Sequence, residues 1–125
     1  MPILTLVHLD LLKTATVKPC YTEETSCLQL ILAGDLKSTT IAEFRRDLGT
    51  ILQHEYVFLL KITLVEVDIR SACIVDSLGL NLVLSVLRWA GNSDAEARII
   101  VGVRGVYETL LAIGLDKHAQ LIFRE

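Results

Sequence analysis

A surplus of basic residues is missing from this sequence, and so is any run of like charge. The 125 residues include 12 lysines and arginines against 15 aspartates and glutamates, for a net charge of −3. A nucleic-acid-binding surface needs clustered cations to displace counterions from phosphates. The composition therefore argues against nucleic acid as the partner.

Cysteine and histidine are also sparse. The sequence has three of each, at Cys20, Cys27, Cys73, His8, His54 and His118. No two cysteines form a C-x-x-C pair and the histidines are scattered, so the spacing predicts no zinc site and no other bound cofactor. An odd number of cysteines favours free thiols in a reducing cytoplasm over a disulfide framework.

Long apolar runs are missing as well. A membrane-spanning helix needs roughly 18 uninterrupted apolar residues, and the longest apolar region, 74–90, is interrupted by polar residues between Asp76 and Arg88. The first ten residues have no positively charged leader and no clear small-residue cleavage site. We therefore expect a cytoplasmic protein with no stable membrane insertion.

The common motifs of catalysis are absent too. The sequence has no G-x-x-x-x-G-K-[ST] phosphate-binding loop, and no G-x-G-x-x-G follows a predicted strand. Ser77 lacks a flanking glycine of the G-x-S-x-G nucleophile elbow. A triad of Ser77 with a histidine and an aspartate remains a minor alternative, and we expect that the protein is not an enzyme.

Apolar residues, in contrast, are abundant. They make up 52% of the chain, and the mean hydropathy is +0.51. A chain of this length fits a single domain, 1–125, that can bury a core without disulfides or metals. Two explanations of the apolar surplus stay open. Either a protein partner or a second copy in a homodimer covers part of the surface, or one well-buried sheet with a dry helix contains it.

Hydrophobic periodicity predicts five strands. Period-two alternation or a short apolar run marks Ile3–Leu9, Cys27–Ala33, Val57–Ile69, Ala97–Val103 and Gln120–Phe123. The Gly34–Asp35 pair is a turn signal that should end the second strand. The polar stretch Leu11–Ser26, which contains Pro19, predicts an irregular connection.

Three helices should separate the later strands. The first follows a T-I-A-E capping box, in which the Thr40 hydroxyl accepts from the Glu43 amide and the Glu43 carboxylate reaches back. The second, Ser77–Ala90, is apolar nearly all round, and the third, Tyr107–Ile113, should end at Gly114. This order predicts an α/β fold with a single mixed β-sheet of about five strands and helices packed against it.

One segment, Val67–Leu80, combines several of these signals. A buried strand runs into a short loop that brings Asp76 and Ser77 to the start of the apolar second helix. Either side chain is an ordinary N-cap, because its oxygen can accept from amides that have no partner in the first helical turn. A phosphate on Ser77 would also be tolerated there, since a helix N-terminus favours negative charge.

The letters D-I-R-S-A-C-I-V-D-S-L-G-L at Asp68–Leu80 resemble the signature of the STAS domain, which sulfate transporters and bacterial anti-sigma factor antagonists share. The L-A-G-D-L stretch at Leu32–Leu36 is similar to the family's turn before its first helix. The resemblance continues through Ile99–Val103 to Gly114–Leu115 and covers about residues 27 to 123. It implies the STAS fold.

Carried over residue by residue, the resemblance places Ser77 where a cognate kinase phosphorylates an anti-sigma factor antagonist. It implies a partner-binding surface around Ser77, formed by Asp35, Ser38, Asp76, Leu78, Gly79 and Asn81. The implied partner is an anti-sigma factor and serine kinase of the GHKL type, which releases the antagonist once Ser77 is phosphorylated. Two residues depart from the family pattern. The family often has Ser or Thr where this sequence has Leu78, and an acidic residue where it has Lys37.

A second function fits the same resemblance, namely a STAS subunit of a lipid-trafficking ABC transporter. There the same surface would dock an ATPase, and no phosphorylation would be required. A GHKL-type kinase gene beside this one would favour the antagonist, and a permease–ATPase operon would favour the transporter subunit. Turnover without any partner would favour an enzyme.

Overall fold

The computed structural model describes residues 15–53, 60–74 and 76–125. The elements follow one another in the order β1 (Ala15–Thr22), β2 (Cys27–Leu36), α1 (Ile41–Leu52), β3 (Leu64–Ile74), α2 (Ser77–Asn92), β4 (Glu96–Val101), α3 (Arg104–Ala112) and β5 (Gln120–Phe123). A short 3-10 turn, Leu115–Lys117, precedes β5.

The five strands form one sheet in the order β1-β2-β3-β4-β5. β1 and β2 pair antiparallel as a hairpin, whereas β2 to β5 pair in parallel with a helix between each consecutive pair. Parallel neighbours need such crossover helices, because a tight turn can join only antiparallel strands. The predicted mixed sheet of five strands with helices packed against it is confirmed.

The core lies between one face of this sheet and the helices. Alternate strand residues supply the sheet side of the core: Leu28, Leu30, Leu32, Val65, Val67, Ile69, Ile99 and Val101. α2 adds Leu82, Val83, Val86, Leu87 and Ala90 from the face it turns to the sheet. The prediction of a helix fully shielded from water is wrong in part, because Leu84 is only half-buried and Leu78 is 41% exposed.

The opposite face of the sheet carries a row of polar side chains. Gln29, Glu66, Arg98 and Gln120 are register partners across β2 to β5. The Gln29 amide donates to Glu66 at 2.8 Å, and Arg98 binds Glu66 at 3.0 Å and Gln120 at 3.2 Å. The buried Glu66 carboxylate thus has a partner on each oxygen, and a one-residue slip of any strand would move its side chain to the other face.

β1 corrects the expectation of an irregular connection over Leu11–Ser26. Residues 15–22 form a strand at the edge of the sheet that the described residues build, and Glu23–Ser26 form the turn to β2. Pro19 is compatible with this strand because the outer side of an edge strand needs no ladder hydrogen bond. The predicted strand Ile3–Leu9 lies outside the described residues.

Several predicted element ends also shift. β2 continues past Gly34 to Leu36, since residues 72–74 of β3 extend the parallel pairing, and Gly34 accommodates this with a φ of 104°. β3 was predicted over Val57–Ile69, of which residues 57–59 lie outside the described ranges. In the structure it begins at Leu64 and continues past Ile69 to Ile74. α2 extends to Asn92, and β4 ends at Val101. Gly114 lies just beyond α3 with a left-handed φ of 82°, as predicted for a helix terminator.

Candidate functional site

The loops after β2 and β3 meet at the carboxyl edge of the sheet. Asp35 is the register partner of Cys73, and Leu36 that of Ile74, so the two strands end side by side. The β2–α1 loop, residues 37–40, and the start of α2 at Ser77 are therefore neighbours. α/β proteins commonly place functional side chains at this edge.

Asp76 joins the two connections. It is the N-cap residue of α2, and its Oδ1 accepts from the amides of Leu78 at 3.1 Å and Gly79 at 3.2 Å. Its Oδ2 accepts from the Ser38 amide of the β2–α1 loop at 2.9 Å. Backbone hydrogen bonds lower the pKa of Asp76. The Ser38 amide has the largest effect, burial opposes it in part, and the amides of Gly79 and Leu78 add to it. The carboxylate is thus ionised at neutral pH and holds the loop against the helix.

Gly79 lets the first turn of α2 approach the end of β2. A Cβ at this position would lie 2.2 Å from the Leu36 carbonyl oxygen and 2.8 Å from the Leu36 Cβ. No side chain fits at that distance without displacement of the backbone. Gly79 is buried, so it shapes the predicted partner-binding surface from below and does not form part of its exposed area.

Thr40 holds the β2–α1 loop from inside, and the capping-box prediction is wrong for it. Its hydroxyl donates to the Asp35 carbonyl oxygen and accepts from the Lys37 amide at 3.2 Å, and it caps no amide of α1. The Glu43 amide instead bonds to the Thr40 carbonyl oxygen at 3.1 Å. A threonine hydroxyl can satisfy nearby loop backbone as well as a helix end, and the buried Thr40 satisfies the loop.

Ser77 is the first residue of α2, and its side chain is exposed. Because Asp76 supplies the helix cap, the Ser77 hydroxyl is not needed for it. We call the exposed and half-exposed residues of this edge the Ser77 surface; they are Asp35, Lys37, Ser38, Asp76, Ser77, Leu78 and Asn81. The structure thus brings the predicted site residues together around Ser77, and their contact with a partner stays a prediction.

The Ser77 surface combines charge with apolar area. Lys37 Nζ lies 3.8 Å from Asp35 Oδ2, and both side chains are partly exposed. The isobutyl group of Leu78 projects from the helix start. A cleft of about 180 Å³ also opens between α2 and α3; its lining residues are Ile74, Leu80, Gly105, Val106, Thr109 and Leu110. This combination suits a protein partner, because protein interfaces join an apolar centre to a polar rim.

The sequence did not identify Lys37 and Thr40 as site residues. Lys37 lies between the predicted site residues Asp35 and Ser38 in the sequence, and this position is the signal that places it on the same loop. Thr40 carries no such signal, because a threonine before a helix is an equally good N-cap.

Asp68 and Arg70 form a separate ion pair in β3. Arg70 donates from Nε to Asp68 Oδ1 at 3.1 Å and from Nη2 to Oδ2 at 2.8 Å. Burial raises the pKa of Asp68, but the hydrogen bonds and charge of Arg70 outweigh this, so the pKa is lowered. Asp68 alternates with the core residues Val67 and Ile69, so it faces away from the helices and takes no part in the Ser77 surface.

Neither a metal nor a membrane-spanning helix is indicated in the described ranges. No group of three or more His, Cys, Asp or Glu side chains there is placed to hold a metal ion, and Cys20, Cys27 and Cys73 are free thiols. No helix of residues 15–53, 60–74 and 76–125 is long and apolar enough to cross a bilayer.

Comparison with known proteins adds evidence at the level of the fold. No protein-family model matches the sequence, and no curated protein matches it. The crystal structure of an anti-sigma factor antagonist from Mycobacterium paratuberculosis is similar with a TM-score of 0.67 and 13% identity, over 86% of this chain and 85% of that one. The anti-sigma factor antagonist SpoIIAA in its unphosphorylated form is similar with a TM-score of 0.62 and 15% identity, over 88% of this chain and 89% of that one. The chain therefore has the STAS fold of these anti-sigma factor antagonists, as its sequence predicted.

Proposed function

We propose that the chain is a cytoplasmic partner-switching protein similar to anti-sigma factor antagonists. In its unmodified form the Ser77 surface binds an anti-sigma factor that is also a serine kinase of the GHKL type. Phosphorylation of Ser77 then releases that partner. The observation that carries the proposal is the exposed Ser77 at the start of α2, next to a carboxylate that already caps the helix.

The fold can accept a phosphate on Ser77 at little cost. The side chain is exposed, so no core atom has to move. The dipole of α2 has its positive end at Ser77, which favours an anion there. The contacts that fix the helix start come from Asp76 and Gly79, and they remain when Ser77 is modified.

The partner interface cannot accept the phosphate so easily. A phosphate adds about −1.5 to −2 charges at pH 7, and it would do so beside the ionised Asp76. A partner packed against a neutral hydroxyl would have to desolvate a dianion next to a carboxylate. Coupling between two such events is typically about 1–3 kcal/mol, which is about 5- to 150-fold in affinity.

The STAS fold shared with two anti-sigma factor antagonists supports a protein as the partner. Leu78 and the cleft between α2 and α3 support the same conclusion. Together they offer an apolar centre, since Leu78 directly follows Ser77 and Leu80 of the same helix lines the cleft, which can receive a side chain of the partner. Such a centre gives the binding energy, while the charges around Ser77 give the switch.

The test begins with isolation of the kinase that binds this chain in native lysate, followed by labelling with the purified kinase and ATP. Wild type and Ser85→Ala should be labelled, and Ser77→Ala should bind the kinase without being labelled. Ser85 is a matched control because it is an exposed serine on the same helix. Ser77→Asp should weaken binding by about 5- to 150-fold, with an unchanged melting temperature.

Two results would contradict the proposal. Equal labelling of Ser77→Ala and wild type would show that another residue is the phosphorylation site. Binding of Ser77→Asp as tight as that of wild type would refute release by charge. In that case the docking of an ATPase in a lipid-trafficking ABC transporter becomes the better explanation of the Ser77 surface.

A further inference from the structure

The helix start at Ser77 has few free hydrogen-bond donors for a phosphate. The amides of Leu78 and Gly79 already donate to Asp76 Oδ1, and the Leu80 amide donates to the Asp76 carbonyl oxygen at 3.3 Å. A helix N-terminus normally holds an anion through these first-turn amides. Here Asp76 occupies them, so a phosphate on Ser77 needs another partner.

The two carboxylates of the Ser77 surface cannot bind a phosphate, so its ionic partner has to be a cation. Asp76 precedes Ser77 in the chain, and Asp35 is the last residue but one of β2. Lys37 is the cation of the adjoining β2–α1 loop, whose Ser38 amide is 2.9 Å from Asp76 Oδ2. The loop backbone at Lys37 is fixed, since its amide donates to Thr40 Oγ1 at 3.2 Å and its carbonyl oxygen accepts from Thr40 at 3.0 Å. Only its flexible side chain has to move.

Lys37 is weakly engaged in the unmodified protein. Its Nζ lies 3.8 Å from Asp35 Oδ2, and the two side chains are 39% and 56% exposed. An ion pair of this length and exposure contributes little, because water screens it. A phosphate carries more charge than a carboxylate and has three strong acceptor oxygens. It would therefore compete successfully with Asp35 for the ammonium group.

We infer that Lys37 is the residue that receives the phosphate of modified Ser77, and that it leaves Asp35 to do so. This inference rests on the proposed phosphorylation of Ser77 and adds its structural consequence. The β2–α1 loop then becomes linked to the start of α2 by an ion pair in addition to the hydrogen bond from the Ser38 amide to Asp76. At the same time the Asp35 carboxylate loses its counter-ion, so the modified Ser77 surface is more negative at two points.

The experiment is a phosphorus NMR titration of protein that carries phosphoserine at position 77, incorporated during translation so that no kinase is needed. A nearby ammonium group favours the dianion and lowers the second pKa of the phosphate. The titration midpoint of wild type should lie about 0.3 to 0.7 pH units below that of Lys37→Met, which is the size expected for an exposed ion pair. Lys37→Arg should titrate like wild type.

Lys117→Met is the matched control, because Lys117 is an exposed lysine in the 3-10 turn that precedes β5, away from the carboxyl edge. Its midpoint should equal that of wild type. Lys37→Gln replaces Lys37→Met if the latter does not fold, as judged by its melting curve. Equal midpoints for wild type and the neutral Lys37 variant would overturn the inference. Because neither kinase nor partner is present, this outcome is independent of whether Ser77→Asp weakens partner binding.

Discussion

Replacement of Gly79 by alanine tests the close approach of α2 to the end of β2. The added Cβ would lie 2.2 Å from the Leu36 carbonyl oxygen and 2.8 Å from the Leu36 carbonyl carbon. Both are backbone atoms of a strand that is paired to β3 at Ile74, so rotation of a side chain cannot relieve the contact. We expect the start of α2 to move away from β2 and to weaken the bonds of Asp76.

The magnitude follows from two opposing effects. Alanine stabilises a helix interior by about 0.5–1 kcal/mol relative to glycine. Overpacking of a rigid site costs about 1–3 kcal/mol, and a contact of 2.2 Å with backbone belongs at the upper end of that range. Gly79→Ala should therefore lower the free energy of unfolding by about 1–2.5 kcal/mol.

Gly49→Ala supplies the matched control. Gly49 lies within α1, and a Cβ there would meet no atom within 4 Å. Gly49→Ala should show only the gain in helix propensity. The free energies of unfolding of the two variants should therefore differ by about 2–3 kcal/mol. Urea unfolding with unchanged slope measures this difference from the midpoints. The reasoning fails if Gly79→Ala is as stable as Gly49→Ala.

Two further predictions concern the packing and the charge of α2. Leu82 is 2% exposed, so Leu82→Ala should lower the free energy of unfolding by about 2–5 kcal/mol. Leu84 is half-buried, so Leu84→Ala should lower it by less than half as much in the same urea experiment. Equal losses for the two variants would contradict the orientation of the helix. The lowered pKa of Asp76 means that its ionised form stabilises the fold above the unfolded value of about 4, and that this stabilisation is lost as the pH falls through the folded value. The stability difference between wild type and Asp76→Asn should therefore shrink below about pH 4, and a difference that stays constant from about pH 6 to about pH 3 would exclude this role.

Local patterns in the sequence were sufficient for much of the fold. The alternation of Leu28, Leu30 and Leu32 marks β2 because these side chains face the helices and their neighbours do not. The start of α2 at Ser77 was predictable because a strand, a short loop and Asp76 precede an apolar run. β1 was not predictable, since Val17 and Tyr21 on its core side are only partly buried, Pro19 lies between them, and the strand is defined by its pairing with β2.

The details of the candidate site depended on contacts between distant segments. The sequence could not show that the Thr40 hydroxyl bonds to the loop before it, because a threonine hydroxyl can bond equally well to the helix after it. Nor could it show that Gly79 faces Leu36, since a glycine in a helix is also compatible with free space, as at Gly49. Register between β2 and β3 brings these residues together, and register is a property of the whole sheet.

The contacts that build the Ser77 surface do not involve the Ser77 side chain. Asp76 holds the β2–α1 loop, Gly79 sets the spacing between helix and strand, and Thr40 fixes the loop from inside. The proposed phosphorylation of Ser77 would therefore leave the backbone of this edge in place, and its effect on a partner would act through charge, hydration and the side chains of Lys37 and Asp35. A switch of this kind needs no unfolding and no domain movement, because a few kcal/mol of electrostatic coupling at a fixed surface are enough to release a partner.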